Sequence, residues 1–146
     1  MPANLPLTDD ALQTLVDAFY ARIRADEALG PIFNDAIHDW PEHLGKLGAF
    51  WSSVMLTSGR YKGQPVPAHM KHRDRIDAAL FTRWLAIWRD TTDDMMEPAA
   101  AAALQDRAAR IAQSLQLAMF FTLDDPVPPA RPAPLQAENL TRSALP

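Results

Sequence analysis

The stretch Ser58–Arg73, SGRYKGQPVPAHMKHR, decides how this chain is read. Ser58-Gly59 stops the preceding helix, and Gly63, Pro65 and Pro67 force a stiff, extended turn. That turn delivers His69 into a segment that cannot form much helix. A histidine brought to a fixed place by a rigid approach has the character of a ligand. The rest of the sequence has to supply what it would grip.

Working outward, the spacing upstream predicts a helix that starts around Asp39 to Pro41 and runs out by Ser58-Gly59. Asp39 suits the cap and Pro41 the first turn. His43, Leu47, Phe50 and Val54 lie on one face, with Leu44, Gly48, Trp51 and Met55 beside them. His43 therefore points where apolar side chains point, and an unpaired imidazole would be costly there. Nearer the N-terminus, Thr8 caps a helix with Asp9 and Asp10 in its first turn. Leu12, Leu15, Val16, Phe19 and Ile23 recur along it at helical spacing, and Tyr20 sits on the edge of that stripe. Gly30-Pro31 is expected to end this helix near Leu29, and Ile32 and Phe33 to begin a short turn that tucks apolar groups into the core.

Downstream, a long helix is expected over Asp77 to Asp93. Leu80, Trp84, Ile87 and Thr91 form one stripe and Phe81, Leu85 and Trp88 its neighbour, a face wide enough to imply deep burial. An alanine-rich helix follows from near Pro98, with Leu104, Ala108, Ile111, Leu115 and Met119 on its core face. After Thr122 the composition changes, with five prolines between Asp125 and Pro134. Residues 1–122 thus read as one domain and 123–146 as a proline-rich extension, extended or mobile. No strand pattern or internal repeat is evident, and the fold class is all-α, with about four main helices plus short ones.

Composition narrows the function. A net charge of −4 and a pI near 5.4 argue against a nucleic-acid partner. With no cysteine, disulfides, thiolate nucleophiles and cysteine-held metals are excluded. MPANLPLTDD lacks the basic start and apolar run of a signal peptide. The most apolar span, Ala99 to Phe121, is interrupted by Asp106, Arg107 and Arg110. These features lead to the expectation of a cytoplasmic protein without membrane contact.

Four histidines are available: His38, His43, His69 and His72. His69-x-x-His72 is half of a zinc site at most, since no further His or Cys pair stands at ligand spacing. Asp35-x-x-His38 resembles a carboxylate-bundle fragment whose matching Glu-x-x-His helices are missing. No nucleophile elbow, Walker loop or dinucleotide-binding glycine turn occurs. The aromatic residues Phe19, Tyr20, Phe33, Phe50, Trp51, Trp84 and Trp88 suit core packing. Tyr20 and Trp84 add polar atoms that need partners when buried, and with His43 they would bring three donors into one pocket from three helices.

Taken in order, Phe19-Tyr20, LGPIF (Leu29–Phe33), Trp40-x-x-His43, Phe50-Trp51, YKGQP (Tyr61–Pro65) followed by His69, and Trp84-Leu85 with Trp88 resemble the truncated haemoglobins of group III. The resemblance runs from about Leu12 to Phe121, and the paired glycines of the other truncated groups are absent. It implies a shortened globin, two helix pairs packed across each other around haem b. It matches His69 to the proximal iron ligand, His43 to the distal histidine, Tyr20 to the distal tyrosine and Trp84 to the distal-pocket tryptophan. Leu47 would line the distal face, with Phe33, Phe50 and Tyr61 also against the haem. Lys46 reads equally as a propionate partner or a solvated lysine, and Arg73 and Arg75 are weaker propionate candidates. Pro67 would shorten the proximal helix. The implied ligands are O2, CO, NO or peroxide, with an unidentified reductase as partner. Donors facing the ligand would slow O2 release, which favours peroxide reduction or NO oxidation over simple transport. The competing expectation is a cofactor-free helical interaction module, suggested by the acidic surface and the proline-rich tail. A haem-based sensor ranks lower, because no output domain is present.

Overall fold

The computed structural model describes residues 4–61 and 76–120. Among the described residues the chain forms five helices: α1 (Asp9–Ala25), α2 (Leu29–Ala36), α3 (Trp40–Leu56), α4 (Ala78–Met95) and α5 (Pro98–Phe120). The one β feature is an isolated parallel bridge between Leu5 and Met96. The all-α expectation holds: four long helices and one short one. No described helix is long and apolar enough to cross a membrane. The expected proximal segment around His69, the shortening at Pro67 and the extension over 123–146 lie outside the described residues.

The helix α1 forms where its sequence signals it. Thr8 Oγ1 accepts from the Ala11 N–H at 3.1 Å, and Asp9 and Asp10 stand in the first turn, where the helix dipole favours negative charge. Its apolar stripe is fully used: Leu12, Leu15, Val16, Phe19 and Ile23 are inaccessible to solvent. This makes α1 the spine of the fold, packed against α2, α3 and α4, while α4 packs on α5.

The end of α1 departs from the sequence expectation. The helix stops at Ala25, and Gly30-Pro31 lie inside the first turn of α2. Pro31 is tolerated there because the first N–H groups of a helix have no intrahelical acceptor to lose. Asp26 makes the break. Its Oδ2 accepts from the N–H of Ala28 at 3.0 Å and of Leu29 at 2.9 Å, which starts α2, and the same carboxylate receives Arg83 Nε of α4 at 2.7 Å. Gly30 then lets α2 double back closely, since a Cβ at this position would come within 2.5 Å of the Arg24 carbonyl oxygen. Ile32 and Phe33 accordingly belong to a helix, not a turn, and are half-buried.

In α3 the cap is Asp39, whose Oδ1 accepts the Glu42 N–H at 3.1 Å, with Pro41 in the first turn. The helix meets α1 at Gly48, over which the Gln13 amide lies, and Gln13 Nε2 donates to the Leu44 carbonyl at 3.0 Å. It ends on Thr57 in the left-handed conformation, φ 57°. The chain that leaves it is strapped down. Ser53 Oγ accepts the Tyr61 N–H at 2.9 Å, the Ser52 and Ser58 hydroxyls are 2.7 Å apart, and Arg60 reaches Asp9 of α1 at 2.6 Å.

In α4, capped by Asp77, burial is narrower than the two predicted stripes. Phe81, Trp84, Trp88, Thr91 and Thr92 are buried, but Leu80, Leu85 and Ile87 only half so. Packing on α1 and α5 selects the band between those helices. Trp88 Nε1 donates to the Leu104 carbonyl at 3.1 Å, and Thr92, buried without being foreseen, returns its hydroxyl to the Trp88 carbonyl at 2.9 Å. The core face of α5 is as expected at Leu104, Ala108, Ile111 and Leu115. The expected Met119 side chain lies outside what is described.

Two outcomes follow from the Asp26 and Gly30 contacts. Gly30→Ala should destabilise the fold by about 1–3 kcal/mol in urea unfolding, as overpacking does. Hydrogen bonding from Arg83, ahead of the Ala28 and Leu29 amides, holds the Asp26 carboxyl below its ordinary pKa. Its stabilisation is therefore fully present above the unfolded carboxylate value near pH ~4 and fades as pH falls through the lower folded value. Asp26→Ala should lower Tm at neutral pH, and the gap from wild type should shrink in acid.

Candidate functional site

Aromatic rings from α1, α3 and α4 form one cluster that contains Phe19. Its ring stands edge-on to Tyr20 at 4.8 Å, to Trp84 at 5.2 Å and to Trp88 at 4.8 Å between centroids. These edge-to-face pairs put the positive rim of one ring against the negative face of the next. Trp88 stacks between Trp84 at 5.9 Å and Trp51 at 4.5 Å. Trp51 Nε1 is a buried donor with no acceptor among the described residues, and a donor left so costs about 1–3 kcal/mol in desolvation.

Tyr20 follows Phe19 and turns away from this stack towards α2 and α3. It is 2% exposed. Burial raises its pKa far above the usual phenol range, and a hydrogen bond from the Trp84 side chain opposes this only in part. The phenol is neutral at any working pH. Since indole nitrogen can only donate, any hydrogen bond between the two runs from the Trp84 N–H to the Tyr20 oxygen. The Tyr20 ring also lies 5.8 Å from Phe33 of α2 and 6.0 Å from Trp40 at the start of α3.

The distal candidates come together in part directly and in part through Trp40. Tyr20 and Trp84 are neighbours, and the Trp84 side chain is the group that partly offsets the rise in the Tyr20 pKa. His43, half-buried, packs at right angles to Trp40 at 5.9 Å, and Trp40 in turn touches Tyr20. One and two turns further along α3, Leu47 and Phe50 are buried, and Phe50 meets Tyr61 edge-on at 5.5 Å. Burial raises the Tyr61 pKa as well. Lys46 stands outside this group, exposed, with Glu42 of its own helix 3.6 Å away. His69, His72, Arg73 and Arg75 lie outside the described residues.

Trp40 and Arg24 belong to the site although the sequence reading gave them no role. Trp40 is buried, and the Arg24 guanidinium sits 4.5 Å above its ring. The spacing Trp40-x-x-His43 already places both rings on one helix face, which was the available signal. Arg24 had none, because only the fold of α2 onto α1 carries Trp40 beneath it. At the far end of α2, His38 is exposed, and among the described residues no three His, Asp or Glu side chains converge to chelate a bare metal ion.

No family model matches the chain. The group 3 truncated hemoglobin of Campylobacter jejuni is 30% identical over 118 residues, which span 78% of this chain and 92% of that protein. The crystal structure of the group III truncated hemoglobin from Campylobacter jejuni superposes with a TM-score of 0.70 at 32% identity, over the same shares of the two chains. With the helices in this order and the Tyr20, His43 and Trp84 motifs along them, the chain belongs to the group III truncated haemoglobins.

Proposed function

We propose that the chain binds haem b and presents Tyr20, Trp84 and His43 to a small ligand at the iron. The observation that carries this reading is the buried Tyr20–Trp84 pair, a neutral phenol kept as a donor among rings and aliphatic groups that suit a porphyrin face. The donor set fits a haem. Leu47, Phe50 and Phe33 offer apolar contact, and the polar atoms are donors suited to an electron-rich ligand. Without cysteine a thioether link to the group is excluded. His69 is the proposed proximal ligand, with one ring nitrogen on the iron and the other fixed by a hydrogen bond that tunes it. Lys46, Arg73 and Arg75 are the proposed propionate partners.

Haem held there would supply an iron able to bind O2, CO, NO or peroxide. What the chain adds is donation. Tyr20 directs its O–H at the ligand, and Trp84 orients that hydroxyl by donating to its oxygen. A donor to a charged or strongly polarised ligand contributes about 1.5–3 kcal/mol, roughly tenfold or more in retention. A ligand held this firmly suits chemistry at the iron, peroxide reduction or NO oxidation, better than delivery of O2. NO oxidation would need a reductase to restore ferrous iron, peroxide reduction would need a donor of two electrons, and the cytoplasm is the compartment that suits both.

In stopped-flow measurements Tyr20→Phe should speed O2 dissociation roughly tenfold or more, and an unchanged rate would remove Tyr20 as donor. His69→Ala should abolish retention of haem through gel filtration unless imidazole is supplied. Retention with the native ferrous spectrum would remove His69 as ligand.

A further inference from the structure

Resting on the haem reading above, we infer that Arg24 decides how large a ligand reaches the pocket, by clamping Trp40 as a wall between solvent and Tyr20. Trp40 is the first residue of α3 and follows a short connection from α2. Side chains at such a position are ordinarily loose, yet Trp40 is only 8% exposed. Three contacts hold it. Its ring lies 6.0 Å from Tyr20 at 45°, and 5.9 Å from His43 at 87°. From the solvent side the Arg24 guanidinium covers it at 4.5 Å.

Arg24 is itself braced. Its Nε donates to Asn34 Oδ1 at 3.2 Å, and Asn34 Nδ2 donates back to the Arg24 carbonyl at 3.4 Å. The end of α1, the middle of α2 and the start of α3 are thereby tied at one ring. A planar guanidinium stacks on an indole face by both charge and shape. The order from outside inward is guanidinium, Trp40, Tyr20, with His43 at the side of Trp40. His43 packs against the ring that Arg24 pins, so its movement is coupled to that of Trp40.

The consequence is selection by size. A diatomic molecule needs little displacement of Trp40 or His43, whereas a ligand as broad as an imidazole needs both rings to give way. Arg24 touches no ligand, and it acts as a positioning residue through Trp40.

The test uses the full chain loaded with haem, as wild type, Arg24→Met and Arg24→Lys. Arg24→Met keeps an apolar side chain of similar reach and removes the cation. It should speed imidazole association to the ferric form by about threefold to tenfold, the population shift that losing one cation–π contact permits. CO association to the ferrous form should change much less, and Arg24→Lys should restore most of the discrimination. Fluorotryptophan labelling supplies a readout that needs no haem: the Trp40 resonance, identified by its loss in Trp40→Phe, should move in Arg24→Met. A merely structural role would lower Tm and leave the imidazole-to-CO ratio alone. Equal imidazole rates in wild type and Arg24→Met overturn the proposal, wherever the Trp40 resonance lies. If wild type shows no Soret band with haemin, the haem reading fails and ligand selection with it. The fluorine resonance then still reports whether Arg24 holds Trp40.

Discussion

Burial of the Tyr20 hydroxyl forbids its ionisation and obliges it to find partners, and the surrounding helices are arranged to meet that demand. The phenol sits where α1, α2, α3 and α4 approach one another. An unpaired hydroxyl in such surroundings would be costly. Trp84, whose indole can only donate, lies beside it and offsets part of the rise in its pKa. The proposed role of Tyr20 as a donor is well served by a phenol whose pKa is driven up by its surroundings.

The scaffold explains why that position is reproducible. With its whole apolar stripe covered, α1 cannot rotate without exposing Leu12, Leu15, Phe19 or Ile23. Arg22 ties it to α4 through Thr91 at 3.1 Å and Asp94 at 2.8 Å, and Asp26 ties its end to both α2 and α4. The exposed ion pairs contribute little energy singly. Their effect is registry, since each fixes which turn of α4 lies against which turn of α1, and so places Trp84 beside Tyr20. At the other end, Ser53, Ser58 and Arg60 hold Tyr61 in place just before the segment that carries His69. Hydrogen bonds from Ser52 and then Arg60 keep the Asp9 carboxyl below its usual range, so this strap is charged at neutral pH.

Much of this was legible in the sequence because it is written in local period and local capping. Thr8, Asp39 and Asp77 announce three helix starts, and the 3.6-residue stripe of α1 names its buried face without further information. Gly30-Pro31 misled because a glycine-proline pair looks like a stop. Its use inside the first turn of α2 depends on a non-local fact, the approach of α2 to the Arg24 carbonyl. The double stripe on α4 overstated burial for a similar reason, since which ridge is covered depends on where α1 and α5 lie. At the site, the residues carrying recognisable chemistry were readable, and those acting through another ring were not. Arg24 is an exposed arginine near a helix end until the fold carries Trp40 beneath it.

The central claim is that these rings enclose a porphyrin, and haemin titration of the purified apoprotein tests it most directly, read at the Soret band and by tryptophan fluorescence together. Saturation at one haemin per chain, with a sharp Soret band and quenching of the Trp84–Trp88–Trp51 emission in step, is the predicted result. A protein that stays colourless, or that takes up haemin while its tryptophan emission is unchanged, would contradict it.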